Sequence, residues 1–228
     1  MGIMRCLRFI IFVYGIVLSG CHYTEGTLEL KGKVLDEKTK ATIPNRKIIV
    51  QALVKNDENF VPDYAGEFST DSSGRFVYSL KKVKGVYIYD FCVVGDSAYA
   101  FSNHKLGLTE LDRYGMFLSF YVSKLADLTL KIDRKSKTPF RDTLFVSWKS
   151  NGIEGEILYP YKIENYGIIS DGTLRWIGGN VKSVVKTKVY ADKNTIVNWT
   201  LFRNGKVKEF KDTIFCKRDG RNSVCFKY

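Results

Sequence analysis

Leu28-Glu-Leu-Lys-Gly-Lys-Val34 alternates apolar and polar residues. Successive side chains of a strand point to opposite faces, so this spacing predicts a half-buried β-strand. Similar segments recur. Lys47-Ile-Ile-Val-Gln-Ala-Leu-Val54 is richly β-branched, Arg75-Phe-Val-Tyr-Ser-Leu80 alternates again, and Val86-Tyr-Ile-Tyr-Asp-Phe-Cys-Val-Val94 places Tyr87, Tyr89, Phe91 and Val93 on one face. Asn56 to Gly66, with Pro62 and Asp63, reads as a polar loop, and Ser72-Ser73-Gly74 as a turn. Phe101 to Tyr114 is less regular and reads as one helical turn or a long loop. Met116 to Val122 then closes a first unit, and Lys124 to Asp127 links it to a second.

In the second unit Leu128, Leu130 and Ile132 restart the alternation, and strands are expected over 184–190 and 194–202. Asn204-Gly205 is a type I′ hairpin signal, and Asp219-Gly220 marks a last turn before a terminal strand. Phe140-Arg-Asp-Thr-Leu-Phe145 is echoed by Phe210-Lys-Asp-Thr-Ile-Phe215, which reads as two corresponding strand starts. No segment sustains a 3.6-residue period. The expected fold is all-β: two β-sandwich domains in tandem, over 27–123 and 127–228, the second Ig-like or a similar sandwich.

Composition agrees with this size. The chain has 228 residues, 45% of them hydrophobic, which is enough for two compact cores and unlike a disordered chain. Its formal charge is +12, and residues 171–228 hold 13 Lys and Arg against 5 acidic residues. Such a stretch can recruit phosphates, anionic lipid or acidic glycans. Lys182, Lys186 and Lys188 share one strand face, and Lys206 and Lys208 recur on the next hairpin, so these five are the candidates for anion binding. Solubility and edge protection explain them equally well. No nucleic-acid-binding motif appears, so nucleic acid is not an expected partner.

The amino terminus has its own logic. Met1 to Arg8 carries Arg5 and Arg8 without an acidic residue, Phe9 to Leu18 is almost wholly apolar, and Ser19-Gly20 precede Cys21. A spanning helix needs about 20 apolar residues, and this run is half that, so residues 1–20 read as an export signal. Leu18-Ser-Gly-Cys21 resembles the lipobox of bacterial lipoproteins. That resemblance implies cleavage before Cys21, diacylation of its thiol and acylation of the new amino terminus. It also implies a cell-envelope location, at the periplasmic or surface face of the outer membrane, with residues 21–26 as a tether.

A second resemblance rests on Leu30-Lys-Gly-Lys-Val-Leu-Asp36, Ile43-Pro-Asn45, Thr70-Asp-Ser-Ser-Gly-Arg-Phe76 and Lys84-Gly-Val-Tyr87. These look like the carboxypeptidase-regulatory-like domain, a transthyretin-like sandwich common in Bacteroidetes lipoproteins. It covers about residues 27–95 and implies a fold, with no catalytic residue to carry over. The sequence departs from it where Gly95-Asp-Ser-Ala-Tyr99 replaces the usual closing Gly-Tyr pair, and in a longer 56–65 segment.

Chemistry is sparse. His22 and His104 have no metal-ligand partner by spacing, no hydrolase, phosphate-loop or calcium-loop motif appears, and neither cofactor nor enzymatic activity is expected. Cys92 sits inside an apolar strand and reads as inert core. Cys216 and Cys225 flank a turn, and on opposed antiparallel strands they would form a disulfide; the alternative is two free buried thiols. Tyr159, Tyr161, Tyr166 and Trp176 lie in a glycine-broken stretch and are candidates for stacking on sugar rings, or else for core or edge packing. The functional expectation is a non-catalytic, lipid-anchored envelope protein that binds or assembles with other envelope proteins. A structural subunit of a surface adhesin or fimbria and a carbohydrate-binding accessory lipoprotein are the alternatives.

Overall fold

The computed structural model describes residues 26–56, 59–114, 117–133, 142–150, 160–164, 168–170, 173–178 and 181–227. Cys21 and the leader, Tyr159 and Tyr166 lie outside them, and only the backbone of Tyr161 is described. Among the described residues, sixteen strands and one short helix build two β-sandwiches in tandem. In the first, a three-stranded sheet has the order β4 (Arg75–Lys81), β1 (Thr27–Asp36), β7 (Phe117–Val122). It faces a four-stranded sheet of β3 (Asn59–Ser69), β2 (Lys47–Asn56), β5 (Ile88–Val93) and β6 (Ser102–Gly107). Helix α1 (Leu108–Tyr114) follows β6 and adds Leu108 and Leu111 to the core.

The alternation explains the packing. Leu30 and Val34 of β1 enter the core beside Gly32, while Lys31 between them is exposed. Tyr89, Phe91 and Val93 of β5 do the same, but Tyr87 precedes the strand and is exposed. Phe120 of β7 stacks between Phe76 and Phe91, with centroids 5.5 and 5.3 Å away. A Cβ on Gly32 would run into the Leu118 carbonyl oxygen and the Phe76 ring, so β1 needs glycine where the aromatic stack presses on its backbone.

The second sandwich packs β10 (Pro160–Glu164), β13 (Lys182–Tyr190), β8 (Leu125–Asp133) and β16 (Asn222–Lys227) against a five-stranded sheet. That sheet runs β11 (Ile168–Ser170), β12 (Thr173–Ile177), β9 (Thr143–Ser150), β14 (Lys193–Arg203), β15 (Lys206–Cys216). Trp199 is fully buried at its centre and stacks on Phe226 at 4.4 Å. Asn204 and Gly205 both take positive φ, +50° and +71°, as a type I′ turn between β14 and β15 requires. Both sandwiches close alike: the last strand pairs parallel to the first, β7 on β1 and β16 on β8.

Several sequence expectations need correction. Most of the expected polar loop 56–66 belongs to the edge strand β3, which pairs with β2 around a bulge beside Val50 and Gln51. Pro62 and Gly66 disguised it, and an edge strand tolerates both. The expected link at 124–127 is shorter, since β7 ends at Val122 and β8 starts at Leu125. The two Phe-x-Asp-Thr echoes are not equivalent: Thr143 starts β9, whereas Asp212-Thr213 lies deep in β15.

The expected disulfide is absent: Cys92, Cys216 and Cys225 are all free thiols. The strand after the Asp219 turn does not fold back on β15; it crosses to the other sheet and pairs with β8. Cys216 therefore points into the core, its thiol donating to Thr195 Oγ1 at 3.5 Å, while Cys225 is exposed on the opposite sheet. Burial raises the Cys216 thiol pKa and pushes Cys92 up to about 11. In the folded protein a thiol reagent should label Cys225 rapidly and Cys92 and Cys216 only on unfolding, as mass spectrometry of the alkylated chain will report. A 216–225 cross-link in the oxidised native protein would contradict this arrangement.

Candidate functional site

The densest polar constellation joins the two sandwiches. Asp36 ends β1 and accepts the backbone N–H groups of Lys38 and Thr39, at 3.0 and 2.8 Å, in a turn closed by Lys40 at φ +60°. From the second sandwich, Arg218 reaches it in a fork: Nη1 donates to Asp36 Oδ2 at 3.0 Å and Nη2 to Oδ1 at 3.2 Å. Nε of the same guanidinium donates to Asp192 Oδ2 at 2.8 Å. Asp192 sits in the tight β13–β14 turn at φ +58° and is also reached by Lys38 Nζ at 3.3 Å. Glu37 adds contacts to Ser123 and Lys193, and Lys124 pairs with Asp219 at 3.1 Å.

Each element is fixed locally. The Arg218 turn is built around Asn222, whose amide donates to the Asp127, Lys217 and Gly220 carbonyls while its oxygen accepts the Lys217 N–H at 2.9 Å. The linker is hydrogen-bonded on both sides, with Ala100 N–H donating to Ser123 O and Ala191 N–H to Lys124 O, each at 2.9 Å. Ala100, Leu125 and Tyr190 make a small apolar cluster at the same place. A pocket of about 240 Å³ lies here, lined by both sandwiches, among them Lys38, Lys124, Asp192 and Arg218.

The electrostatics follow from burial and charge together. Burial alone would raise the Asp36 carboxyl pKa, but the Arg218 guanidinium and the Thr39 turn outweigh it and hold the group at about 2. Asp192 is lowered in the same way, its desolvation outweighed by Arg218 and Lys38. Glu37 is lowered chiefly by the Ser123 hydroxyl. A bidentate, charge-assisted contact of this kind is among the stronger hydrogen-bonding arrangements.

The residues singled out from sequence are scattered. Lys182, Lys186 and Lys188 do share the outer face of β13, but their strand runs beside β8, where Asp133 stands opposite Lys182 and Asp127 pairs with Lys188 at 2.9 Å. Lys206 and Lys208 belong to β15 in the other sheet, so the five do not form one strip. Trp176 is buried in the core of the second sandwich, where its ring cannot stack on a sugar. His104 lies in β6, its ring 4.9 Å from Phe120 and its Nε2 3.0 Å from Ser102 Oγ, with burial lowering its pKa. Among the described residues no group of three or more His, Cys, Asp and Glu side chains is placed to hold a metal ion, and no helix is long and apolar enough to cross a membrane.

What sequence reading missed is the joint and the edge β15. Arg218 and Asp36 are 182 positions apart, and no local pattern links them. β15 pairs with β14 over all 11 of its residues without a bulge, and its other side carries no partner strand among the described residues. It holds no Pro or Gly, and Val207, Phe210 and Phe215 are exposed along it. Lys206 and Lys208 on one face and Lys211 on the other are its main guard against pairing.

Neither a protein-family model nor a curated protein sequence matches the chain. Solved structures of pilins are similar at low level. The shaft pilin SpaA from Lactobacillus rhamnosus GG is 10% identical over 90% of this chain and 98% of its own, with a TM-score of 0.34. A streptococcal ancillary pilin reaches a TM-score of 0.37 at 11% identity, covering 88% of this chain and 62% of its own. A mutant of the major pilin from Streptococcus pyogenes gives 0.31 at 12% identity over 90% of this chain and 98% of its own. Likeness at this level assigns no property of a pilin to this chain.

Replacing Arg218 by Ala leaves Asp36 buried without its counter-charge and should cost about 3 kcal/mol in chemical denaturation, because removing one partner of a buried pair is strongly destabilising. The folded pKa of Asp36 lies below its unfolded value, so its contribution, roughly 2 kcal/mol, is complete above the ordinary 3.8 and is lost as pH falls towards 2. Acid titration of stability should show this loss in the parent and a much smaller one in Arg218→Ala.

Proposed function

We propose that the chain is a non-catalytic, lipid-anchored protein of the bacterial cell envelope that acts by assembly, as a structural subunit of a surface fibre or adhesin. The observation that carries this reading is the 11-residue edge of β15, which has no partner strand among the described residues, on a two-sandwich body braced by Arg218. A free edge offers a row of backbone donors and acceptors to an extended segment, and adding a strand there joins two proteins through main-chain hydrogen bonds. A fixed joint transmits load and orientation from one sandwich to the next. Cys21, through the lipobox that Leu18-Ser-Gly-Cys21 resembles, supplies the attachment to the membrane. The transthyretin-like character of the first sandwich rests on its sequence resemblance and is part of the same proposal.

Carbohydrate binding loses support because Trp176 is core. Binding of anionic lipid or glycan by the lysines loses support because Lys182, Lys186 and Lys188 are separated from Lys206 and Lys208 and interleaved with Asp127 and Asp133.

The test is the edge itself. Val207→Lys combined with Phe215→Lys adds charge along β15 without touching the inward side chains. Large assemblies extracted from the cells should shift to monomer, with the circular dichroism spectrum unchanged. A parent protein that is already monomeric in extracts and at high concentration would sink the proposal.

A further inference from the structure

The pole of the first sandwich opposite the joint is apolar in an unusual way. β1 begins there at Thr27, facing Lys81 at the end of β4, and the Lys82 N–H donates to the Gly26 carbonyl at 2.9 Å. The loop from Lys82 to Tyr87 caps this pole, with Val83 exposed and Tyr87 72% exposed. β2 runs antiparallel to β5, and Ala52 faces Tyr89 near the start of β5, so the β2–β3 hairpin projects past the same end. It presents Val54 opposite Val61 and Lys55 opposite Phe60, with Phe60 54% exposed. Five exposed large hydrophobics thus gather at one end of one sandwich. Exposed Lys55, Lys81 and Lys84 stand among them, and a cleft of about 700 Å³ opens between Gly26, Thr27 and Lys81 to Lys84.

We propose that this pole lies on the lipid bilayer, with Phe60, Val61, Val83 and Tyr87 in the headgroup layer and Lys81 and Lys84 against lipid phosphates. The inference rests on Cys21 being the lipid anchor. Gly26 lies five residue steps beyond Cys21, and at about 3.3–3.6 Å per residue the fully extended tether reaches about 17 Å. The headgroup layer takes up about 5–8 Å of that reach, so the end of the body that bears Gly26 is held at the surface. Aromatic side chains with a polar tip, such as Tyr87, favour this layer. The contact is mainly apolar: Lys82 is engaged by Asp112 at 2.7 Å, and in the sequence Lys55 is followed closely by Asp57 and Glu58. The joint holds the second sandwich at the other end through Asp36, so it does not cover this pole.

The chain offers its own reference probe, because Cys225 is exposed on the second sandwich while Cys92 and Cys216 are buried. The lipidated full chain, spin-labelled either at Cys225 or at Phe60→Cys or Tyr87→Cys in a Cys225→Ser background, is placed in phosphatidylethanolamine–phosphatidylglycerol vesicles. Labels at 60 and 87 should be severalfold less accessible to an aqueous relaxation agent than the label at 225, and Cys92 and Cys216 should remain unlabelled as the control for folding. Equal accessibility in protein that floats with the vesicles overturns the inference and leaves the anchor intact. Failure to float removes the anchor reading and the inference with it. Protection of 60 and 87 that rises with protein concentration in the absence of vesicles assigns the pole to a second copy instead and overturns the bilayer contact.

Discussion

A single guanidinium organises this molecule. Arg218 bonds Asp36 with both terminal nitrogens and Asp192 with Nε, so three loops from two cores converge on one planar group. Arginine suits the place because its fork is rigid and permanently charged; lysine has a single point charge and could not hold two carboxylates in fixed directions. Burying such a group is expensive, and its net contribution to stability is smaller than the strength of its hydrogen bonds suggests. Its more definite effect is geometric. The two sandwiches have separate cores, and the small Ala100, Leu125, Tyr190 cluster between them is too limited to fix an angle alone. Directional bonds from Arg218 and the backbone bonds of Ser123 and Lys124 supply what that cluster lacks.

Much of the fold was legible because the strand period is local. Leu30 and Val34, or Leu128, Leu130 and Ile132, declare their inward faces within a few residues, and Asn204-Gly205 declares a turn by backbone chemistry alone. β3 escaped because an edge strand has one paired side, so it can hold Pro62 and a bulge and still belong to the sheet. Cys216 and Cys225 misled for a topological reason: proximity across a turn implies pairing only if the chain reverses within one sheet, and here it changes sheets. Trp176 shows the same limit for aromatics, since a glycine-rich neighbourhood says little about which face of a strand the ring occupies.

The site was less legible than the fold. Asp36 in the sequence is one carboxylate among 24 acidic residues, and Arg218 one of 36 basic ones. Their meaning depends on a contact across most of the chain. The basic stretch likewise dissolved once β13 and β15 were assigned to different sheets and Asp127 and Asp133 appeared beside the lysines. Charge counted along a chain measures composition; only the strand order tells which charges share a surface.

The parallel closure of both sandwiches bears on how the chain is made. β8 opens the second sandwich but gains its parallel neighbour only from β16, the last strand, whose Phe226 also completes the stack on Trp199. As the polypeptide emerges from amino to carboxyl end, the first sandwich has all its strands once Val122 is out. The second lacks the parallel partner of β8, and the turn bearing Arg218, until β16 is out. Long-range pairing of this sort forms late because the ends of a long loop must meet first. The body is thus built in two stages, and the brace arrives with β16, so the strand that closes the second sandwich also completes the joint between the two.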